Sequence, residues 1–562
     1  MARIMEWVPL ALASAGVVLH TAPLCYGDWE FIYSFDDGAN FVENPMIQAL
    51  TVSNLCSMAM SVKINVYEPL SWLLKALVHE LVGMQSRYVR MMSVVLHWTA
   101  CGVLGWTSNR LLSSFATMPP SSDDPAYSFS GQLSAVLFAV HPLHVEILMW
   151  PSAQPYPLAM LFTSLMLYLH LEFKPWSAVG AVFYTCAVLS KSIALVTPVG
   201  LVLLDATQGT VLPYHDLSQH FRYFRQMRVY IALFLALAAT TYVANQGGAG
   251  DDVDTISLTL SQRIAKLFLV IVWPIQAWVW PLGLRPHYQI SDDLSIGSSP
   301  SVLLAALLVV VTFVVGIGSG LTAKSRPHLA ILAVAVYIVV MVLPVSGLIQ
   351  HGMVSLTADR YAYFASVVFV PIQTAVLHRM SRRSATLVAL ALFGLWSSIT
   401  SLQTQAWRTE EGLWRYSLMQ DPSDWRTLDQ LAEYYLHYGR NAEALPLIER
   451  SLWFGPTRGF KARLFQAKQR MFLNRVDEGC SMYAALFEDK PHHPAVLNNM
   501  AVCALYRGNA SAATSLWESA VENERRAQRD KHATIESIPA HNLAQVPAFL
   551  SGARGFKAQL MW

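Results

Sequence analysis

Two adjacent carboxylates, Asp36 and Asp37, follow the first long apolar run of the chain, in the sequence FDDGANFVENP (35–45). Two close carboxyl groups raise each other's pKa, so one can serve as a general base while the other orients it. A hydroxyl nucleophile requires such a base. A solvated loop is the simpler explanation of an Asp-Asp pair, but this pair lies within a few residues of a predicted membrane surface. We therefore regard both residues as candidate catalytic groups.

A second candidate is the segment HPLHVE (141–146), which ends an otherwise apolar stretch. His141 and His144 are three residues apart and would share one face of a continuing helix. Together with Glu146 they could contact a phosphate, relay protons or bind a metal, or they could be no more than a polar helix end. Pro142 breaks the regular geometry of a metal site, and ionisable residues at a membrane helix end more often mark a substrate path. We therefore predict a ligand contact without a metal.

Single cations lie between or beside other apolar stretches. Lys191 and Arg360 could extend to lipid headgroups at the membrane surface. They could instead bind a lipid phosphate close to a carboxylate, since opposite charges strengthen both contacts. Arg263, His287 and Tyr288 border a further apolar segment and are additional candidates. The phosphate alternative predicts positive charge beside the acid pair.

The composition indicates what must position these residues. The chain has 562 residues, of which 54% are hydrophobic and 14% charged, and its mean hydropathy is +0.37. It is too apolar for an ordinary soluble protein and too long for one domain, so the sequence predicts a polytopic membrane protein with a soluble part. The net charge of +2 gives no electrostatic basis for a nucleic-acid partner.

The six cysteines lack the spacing of a metal site. Most are expected to be buried thiols. A disulfide between Cys25 and Cys56 is the alternative, because both lie near the same loop. The six positions are Cys25, Cys56, Cys101, Cys186, Cys480 and Cys503.

Apolar stretches of about 20 residues, long enough to cross a bilayer, dominate the chain before residue 402. Two shorter stretches, 176–189 and 192–205, are predicted to be short or broken spans. The amphipathic stretch 69–84 in the first loop, residues 26–87, is expected to lie along the membrane surface. The predicted long spans are 7–25, 88–107, 131–149, 155–172, 228–245, 301–321, 328–349, 359–378 and 384–402.

Charge predicts the orientation of these spans. The basic segments 323–328 and 378–383 and the arginine-containing loop 206–228 are expected in the cytosol by the positive-inside rule. If the loop 206–228 and the segment 323–328 are both cytosolic, the chain between them must cross the membrane an even number of times. The run 256–282 is therefore predicted not to cross, and to be re-entrant or interfacial. The result is eleven spans with a cytosolic N-terminus. The acid pair, the histidine segment and the two cations then share the non-cytoplasmic face.

The chain after residue 402 has a repeated pattern. The segment LYRGNASAATSLWESAVENE resembles two earlier ones, each with a turn followed by a helix rich in small residues. The turn residues Gly439, Asn474 and Gly508 are spaced at the period of tetratricopeptide repeats, about 34 residues. We predict about three repeats within 403–525, which would offer a surface for a peptide or protein. The tail 526–562 shows no repeat and is unassigned.

The order of these features resembles a known family. After the Asp-Asp pair come YEPLSWLLKALVHELVG, VVLHWTACGVL, LFAVHPLHVEILMW, AVLSKSIALV, WPLGLRPHY, SGLIQHGMVSLTADRYAYFASVVF and a repeat array opened by QAWRTEEGLW. This set resembles the transmembrane and tetratricopeptide-repeat (TMTC-like) protein O-mannosyltransferases of the endoplasmic reticulum, members of the GT-C glycosyltransferase superfamily. The resemblance covers nearly the whole chain up to about residue 525.

The resemblance implies an all-α fold, with a GT-C-like helical bundle over residues 1–402 followed by a tetratricopeptide α-solenoid. It implies transfer of mannose from dolichyl-phosphate mannose to Ser/Thr hydroxyls of lumenal proteins, without a metal or cofactor. The protein would be a multi-pass component of the endoplasmic reticulum membrane, with lumenal repeats that bind the acceptor or a partner. The catalytic role falls on Asp36 and Asp37. The residues predicted to contact the donor or its lipid phosphate are His141, His144, Glu146, Lys191, Arg360, Tyr361 and Arg263.

Two positions depart from the family pattern. The chain has Glu68 where the family's Tyr-Arg-Pro has a cation, and Ser192 where its Ser-Lys-Glu has an acid. These departures favour an alternative, a catalytically inactive relative that serves as a membrane-anchored adaptor or accessory subunit of a larger membrane complex. A transporter or channel is a third class, but few charges lie inside the apolar runs to form an ion path.

Overall fold

A computed structural model shows helices and no strand in the residues that it describes. The ranges described are 6–62, 66–113, 125–209, 217–248, 258–291, 294–295, 297, 299–323, 326–348, 355–455, 460–529 and 538–550. The predicted all-α class is therefore confirmed for these parts of the chain.

The first sixteen helices make up the apolar part and the segments between its spans. They are α1 (Val8–Cys25), α2 (Val52–Met60), α3 (Pro69–Val82), α4 (Ser86–Ser113), α5 (Pro125–Ala139), α6 (Val145–Met149), α7 (Pro155–Glu172), α8 (Ala178–Ser190), α9 (Thr197–Gln208), α10 (Leu217–Gly248), α11 (Leu260–Val279), α12 (Pro300–Ala323), α13 (Arg326–Val342), α14 (Asp359–Ser366), α15 (Phe369–His378) and α16 (Arg382–Ala406).

Four of these helices are long and apolar enough to cross a membrane within the described residues. They are α1, the part Leu217–Val243 of α10, the part Pro300–Gly318 of α12, and α16. Two bent helix pairs, α5 with α6 and α14 with α15, raise the number to six if each pair is one span. The predicted count of eleven spans is therefore not confirmed by the lengths and compositions of the helices.

The two bent pairs differ from the straight spans predicted at 131–149 and 359–378. The axes of α5 and α6 differ by 53°, and Pro142 lies in the short turn that joins them. Proline cannot donate the hydrogen bond that would continue α5, so the break follows from its chemistry. The axes of α14 and α15 differ by 52°. The two bends lie next to each other, since the buried His144 Nε2 is 3.4 Å from the Ser366 Oγ.

The predicted amphipathic stretch in the first loop forms α3, which ends at Gly83 with a φ of +80°. Its buried face includes Trp72 and Ala76, and these side chains pack in one cluster with Phe41 and Ile47 of the preceding loop segment. The helix therefore covers the loop that contains the acid pair, in addition to any contact with a membrane surface.

Three helix pairs with a regular period follow α17 (Glu410–Gln420). The first helices of the pairs begin at residues 425, 460 and 494, which gives spacings of 35 and 34 residues. The predicted turn residues Gly439, Asn474 and Gly508 all have left-handed φ values, of +71°, +60° and +74°. The tetratricopeptide-like repeat is therefore confirmed. The pairs are α18 (Trp425–His437) with α19 (Asn441–Phe454), α20 (Phe460–Phe472) with α21 (Val476–Asp489), and α22 (Pro494–Tyr506) with α23 (Ala510–Arg529).

The unassigned tail contains one further helix, α24 (Ile538–Leu550). The Asn542 Nδ2 donates to the Asn498 Oδ1 at 2.9 Å, and the Trp517 Nε1 donates to the same oxygen at 3.0 Å. Val546 joins the hydrophobic cluster of the last repeats. The helix thus covers the end of the array, as a capping helix does. Residues 530–537 and 551–562 lie outside the described part of the chain.

The prediction that most cysteines are buried thiols was wrong, since among the described residues Cys101 is the one fully buried free thiol and Cys186 is half-buried. Cys480 and Cys503 form a disulfide between α21 and α22, with a Cα–Cα distance of 5.6 Å. Cys25 and Cys56 are free and exposed, so the alternative pairing of these two is also absent. The sequence does not show this pairing because the two partners are brought together only by packing between neighbouring repeats.

Candidate functional site

The acid pair lies in an irregular turn of the first loop. The turn Tyr33–Val42 departs from helical geometry at Phe35 and Asp36, and Asp36 has a φ of +68°, which Asp adopts more readily than most residues. Trp150 holds the turn from the facing segment, since its Nε1 donates to the Phe35 carbonyl oxygen at 2.8 Å and its ring stacks on Phe35 at 4.3 Å. In this turn Asp37 is buried, whereas Asp36 is exposed.

Asp37 is a fully buried hydrogen-bond acceptor. Its Oδ2 accepts from the Ile32 N–H at 2.8 Å, and its Oδ1 accepts from the N–H and the hydroxyl of Ser152 at 2.9 and 2.5 Å. Burial raises the pKa of Asp37 to about 7, although the bonds from Ser152 and the charge of Arg90 act in the opposite direction. Asp37 therefore joins the first loop to the segment after α6.

The exposed Asp36 carboxylate lies beside a concentration of positive charge. Desolvation by the surrounding protein raises its pKa, and nearby cations oppose that rise. The cations that act on Asp36 are, in decreasing order, Arg360, Arg426, Lys191 and Lys75. Two of the predicted cations, Arg360 and Lys191, therefore lie close enough to influence the predicted base.

Arg360 is held by an acid and by aromatic rings. Its guanidinium pairs with Glu146, whose other oxygen accepts the Arg360 N–H at 2.8 Å. The guanidinium carbon lies 4.8 Å from the Tyr361 ring, 5.0 Å from the Trp150 ring and 5.8 Å from the Phe35 ring. The Arg360 side chain is 16% exposed and that of Glu146 is 1% exposed. A ligand would therefore meet the cation before the acid.

Lys191 lies at the break between α8 and the following turn. Its ammonium pairs with Glu68 and lies 5.1 Å from the centre of the Tyr156 ring. Lys191 is 17% exposed and Glu68 4%, the same asymmetry as in the arginine pair. The Ser71 hydroxyl donates to the Ser190 carbonyl oxygen at 2.7 Å and joins α3 to α8 beside this pair. The departure from the family pattern at Glu68 thus supplies the anion that fixes the lysine.

The two histidines of HPLHVE are buried and bind backbone groups. The His141 Nδ1 accepts from the Leu143 N–H at 3.2 Å, and its Nε2 donates to the Trp278 carbonyl oxygen at 3.0 Å. The His144 Nδ1 lies 2.8 Å from the Phe138 carbonyl oxygen. These bonds hold the bend between α5 and α6, and no contact among the described residues joins either ring to the acid pair. Phosphate binding by the histidines stays a prediction.

The last two predicted residues lie in different places. The Tyr361 hydroxyl accepts from the Arg360 guanidinium at 3.4 Å, so Tyr361 lies beside the predicted cation. The Arg263 Nε donates to the Leu258 carbonyl oxygen at 3.1 Å, at the start of α11. Among the described residues no group of three or more His, Cys, Asp or Glu side chains is placed to bind a metal ion.

Arg90, a buried residue that no motif suggested, connects three segments around the acid pair by hydrogen bonds. Arg90 is fully buried on α4 and donates to the carbonyl oxygens of Met149, Glu30 and Trp407 at 2.6, 2.9 and 3.1 Å. It therefore joins the bent pair, the first loop and the end of α16. The signal for it was present in the sequence, because Arg90 lies inside the predicted span 88–107, where a charge is costly unless it has partners.

A second group of polar side chains leads from the acid pair to α3. The Ser152 hydroxyl accepts from the Asn40 Nδ2 at 2.9 Å, and the Asn40 Oδ1 accepts from the Lys75 Nζ at 3.4 Å. Lys75 is buried and its ammonium lies 4.2 Å from the centre of the Trp72 ring. The sequence signal for Lys75 was its position on the apolar face of the predicted amphipathic helix, where a cation needs a polar partner.

The segment after α11 connects the surroundings of Arg360 to the first repeat. The Tyr288 hydroxyl donates to the Asp359 Oδ1 at 2.6 Å, next to Arg360 in the sequence. The neighbouring His287 Nδ1 lies 2.8 Å from the Asp424 Oδ1 at the start of α18. The adjacent residues His287 and Tyr288 therefore connect the repeat array to the segment that contains Arg360.

No family model matches the sequence, and no curated protein matches it. The solved structures that are similar include the crystal structure of the yeast Tom70, at 13% sequence identity, with 76% of this chain and 81% of that chain covered and a TM-score of 0.18. A TM-score this low gives no support for a shared architecture, so the likeness carries no argument. The repeats rest on the helix pairs of this structure.

Proposed function

We propose that the chain transfers mannose from a polyprenyl (dolichyl) phosphate sugar to Ser/Thr hydroxyls of lumenal proteins, on a GT-C-like bundle with about eleven membrane crossings. The observation that carries this proposal is the exposed Asp36 carboxylate beside the fixed Asp37 and among partly exposed cations. A base next to positive charge suits a reaction in which a hydroxyl loses a proton and a phosphate gains charge.

Asp36 is the base in this mechanism, because its carboxylate is exposed while Asp37 is buried and holds three hydrogen bonds. Asp36 takes the proton as the acceptor oxygen attacks the anomeric carbon of the sugar. The bond between that carbon and the phosphate oxygen breaks, and the polyprenyl phosphate leaves with its negative charge. Arg360 and Lys191 stabilise the charge that develops, as preorganised cations do. The step requires no metal or cofactor.

Two further observations support a lumenal position of the repeats in the endoplasmic reticulum membrane. The Cys480–Cys503 disulfide fits an oxidising compartment. Asn509, Ala510 and Ser511 form a glycosylation sequon at the start of α23. The repeats would then hold the acceptor protein on the same side as the acid pair, and Arg426 of the first repeat already acts on Asp36.

The test is transfer from labelled dolichyl-phosphate mannose to an acceptor peptide by the purified full chain. Asp36→Asn should abolish transfer without loss of protein, because Asn has nearly the same shape and tolerates a positive φ. Asp28→Asn, which changes another exposed acid of the same loop, is the matched control and should keep full activity. Full activity of Asp36→Asn would remove the mechanism.

A second candidate function is the inactive adaptor. The observation that favours it is that both cations are already paired, Arg360 with Glu146 and Lys191 with Glu68. An adaptor has no need to bind the donor lipid, whereas the transferase must. Binding of dolichyl phosphate to the purified protein, measured by a shift in the unfolding temperature, separates the two candidates. No shift at saturating lipid supports the adaptor.

A further inference from the structure

An apolar groove of about 420 Å³ lies between α4, α7, α9, α13 and α15. Its lining follows α7 from Met160 to Leu171, and it opens beside Ile372, which is exposed on α15. None of the predicted site residues lines it. The groove is therefore a feature separate from the acid pair and its cations.

Most hydroxyl groups that line the groove are paired with backbone carbonyl oxygens. The hydroxyls of Thr107 and Ser108 donate to the Leu104 carbonyl oxygen at 2.9 and 2.7 Å. Those of Thr197 and Thr207 donate to carbonyl oxygens of their own segments at 2.7 Å each. The Thr163 hydroxyl is the exception in the lining and has no hydrogen-bond partner in the described part of the chain. The other lining side chains are mainly aliphatic, so the groove favours hydrocarbon over a polar ligand.

The shape of the groove suits one kind of occupant. Its lining from Met160 to Leu171 spans about 16 Å at the rise of an α-helix, and side chains of five helices border it. A single hydrocarbon chain is about 5 Å across from carbon contact distances. Such a chain can lie along this elongated apolar groove with its methylene groups in contact with the lining.

The charge at one end of the groove indicates the headgroup. Arg379 lines that end and begins the exposed part of the basic segment 378–383, which also contains Arg382 and Arg383. Clusters of arginine beside a membrane helix attract anionic headgroups. We propose that the groove binds one acyl chain of an anionic phospholipid, with the headgroup phosphate at Arg379.

This site is distinct from the donor site of the proposed function. By the predicted orientation, segment 378–383 faces the cytosol, whereas Asp36 faces the other side. The lipid in the groove is a resident that fills the space between five helices and stabilises their packing. The proposal does not depend on sugar transfer, so its failure and the failure of the transferase proposal are separate results.

The experiment counts lipid bound to the purified full chain by quantitative mass spectrometry after exposure to mixed micelles of dioleoylphosphatidylglycerol or dioleoylphosphatidylcholine. Ala375→Trp places a large ring in the groove and should reduce bound phosphatidylglycerol roughly tenfold, because several buried methylene contacts are lost. Val376→Trp, at an exposed neighbour on the same helix, should leave binding unchanged. Arg379→Gln should remove the preference for phosphatidylglycerol over phosphatidylcholine, whereas Arg383→Gln should keep it.

Equal lipid binding by Ala375→Trp and Val376→Trp overturns the proposal. Displacement of the phospholipid by dolichyl phosphate also overturns it, since the groove would then belong to the donor lipid. If Ala375→Trp does not fold, Ala333→Leu on the facing helix α13 fills the same groove with a smaller side chain. Retained binding in that variant, at the level of the unchanged protein, overturns the proposal as well.

Discussion

Asp37→Asn is the substitution whose effect on stability follows most directly from the structure. The Asp37 carboxylate faces two backbone N–H donors, from Ile32 on one oxygen and Ser152 on the other. An asparagine can offer an acceptor to only one of them, and its own amide N–H then faces the second. Leaving one buried donor unsatisfied costs about 1–3 kcal/mol.

The cost should change with pH, because the wild-type carboxyl titrates and asparagine does not. Burial raises the pKa of Asp37 from 3.8 to about 7, so the folded protein keeps a proton that the unfolded chain releases near pH 4. Between about pH 4 and 7 the folded state binds more protons, and the wild-type free energy of unfolding falls as the pH rises. This shift in the pKa of Asp37 lowers the wild-type free energy of unfolding by about 4 kcal/mol across that pH range. The loss exceeds the cost of the hydrogen bond that asparagine leaves unmade.

We therefore expect Asp37→Asn to be less stable than wild type at pH 5 and equal or more stable at pH 8. The measurement is the apparent unfolding temperature of the purified full chain in detergent at the two pH values. Asp28→Asn, at an exposed acid of the same loop, should track wild type throughout. A stability difference between Asp37→Asn and wild type that is the same at pH 5 and pH 8 would refute the reasoning.

Three further substitutions test the ion pairs and the disulfide. Arg360→Ala leaves the Glu146 carboxylate buried without its cation, so the unfolding temperature should fall by an amount equivalent to about 3–5 kcal/mol; an unchanged temperature would contradict the pairing. Cys480→Ser should cost about 2–4 kcal/mol, and a reducing agent should destabilise wild type by a similar amount but not this variant; equal sensitivity of both proteins would contradict the bond to Cys503. Glu68→Gln removes the negative partner of the site lysine and should tighten binding of dolichyl phosphate in a titration; unchanged affinity would show that the lysine does not contact the phosphate.

Features that depend on local sequence were predicted well. The repeat period and the turn residues Gly439, Asn474 and Gly508 could be found because each repeat carries its own turn and small-residue helix, and all three residues adopt the left-handed conformation. The helix Pro69–Val82 follows from its amphipathic pattern. In each case the residues that determine the structure lie within one or two helical turns of each other.

The acid partners of the two cations were not predicted. The pair of Lys191 with Glu68 joins residues 123 positions apart, and the pair of Arg360 with Glu146 joins residues 214 positions apart. No periodicity in the sequence encodes such a pairing. The division of roles between the two aspartates also required the structure, since the sequence does not show that Asp37 is buried and Asp36 is exposed.

The two candidate functions differ in what the paired cations can still do. A salt bridge in which both partners were equally buried would leave a phosphate nothing to contact. In both pairs here the cation is several times more exposed than its acid, at 16% against 1% and at 17% against 4%. Each carboxylate therefore fixes its cation from the protein side, while part of each cationic side chain stays exposed. This arrangement preorganises positive charge beside the exposed carboxylate of Asp36, which a transferase needs and an adaptor does not.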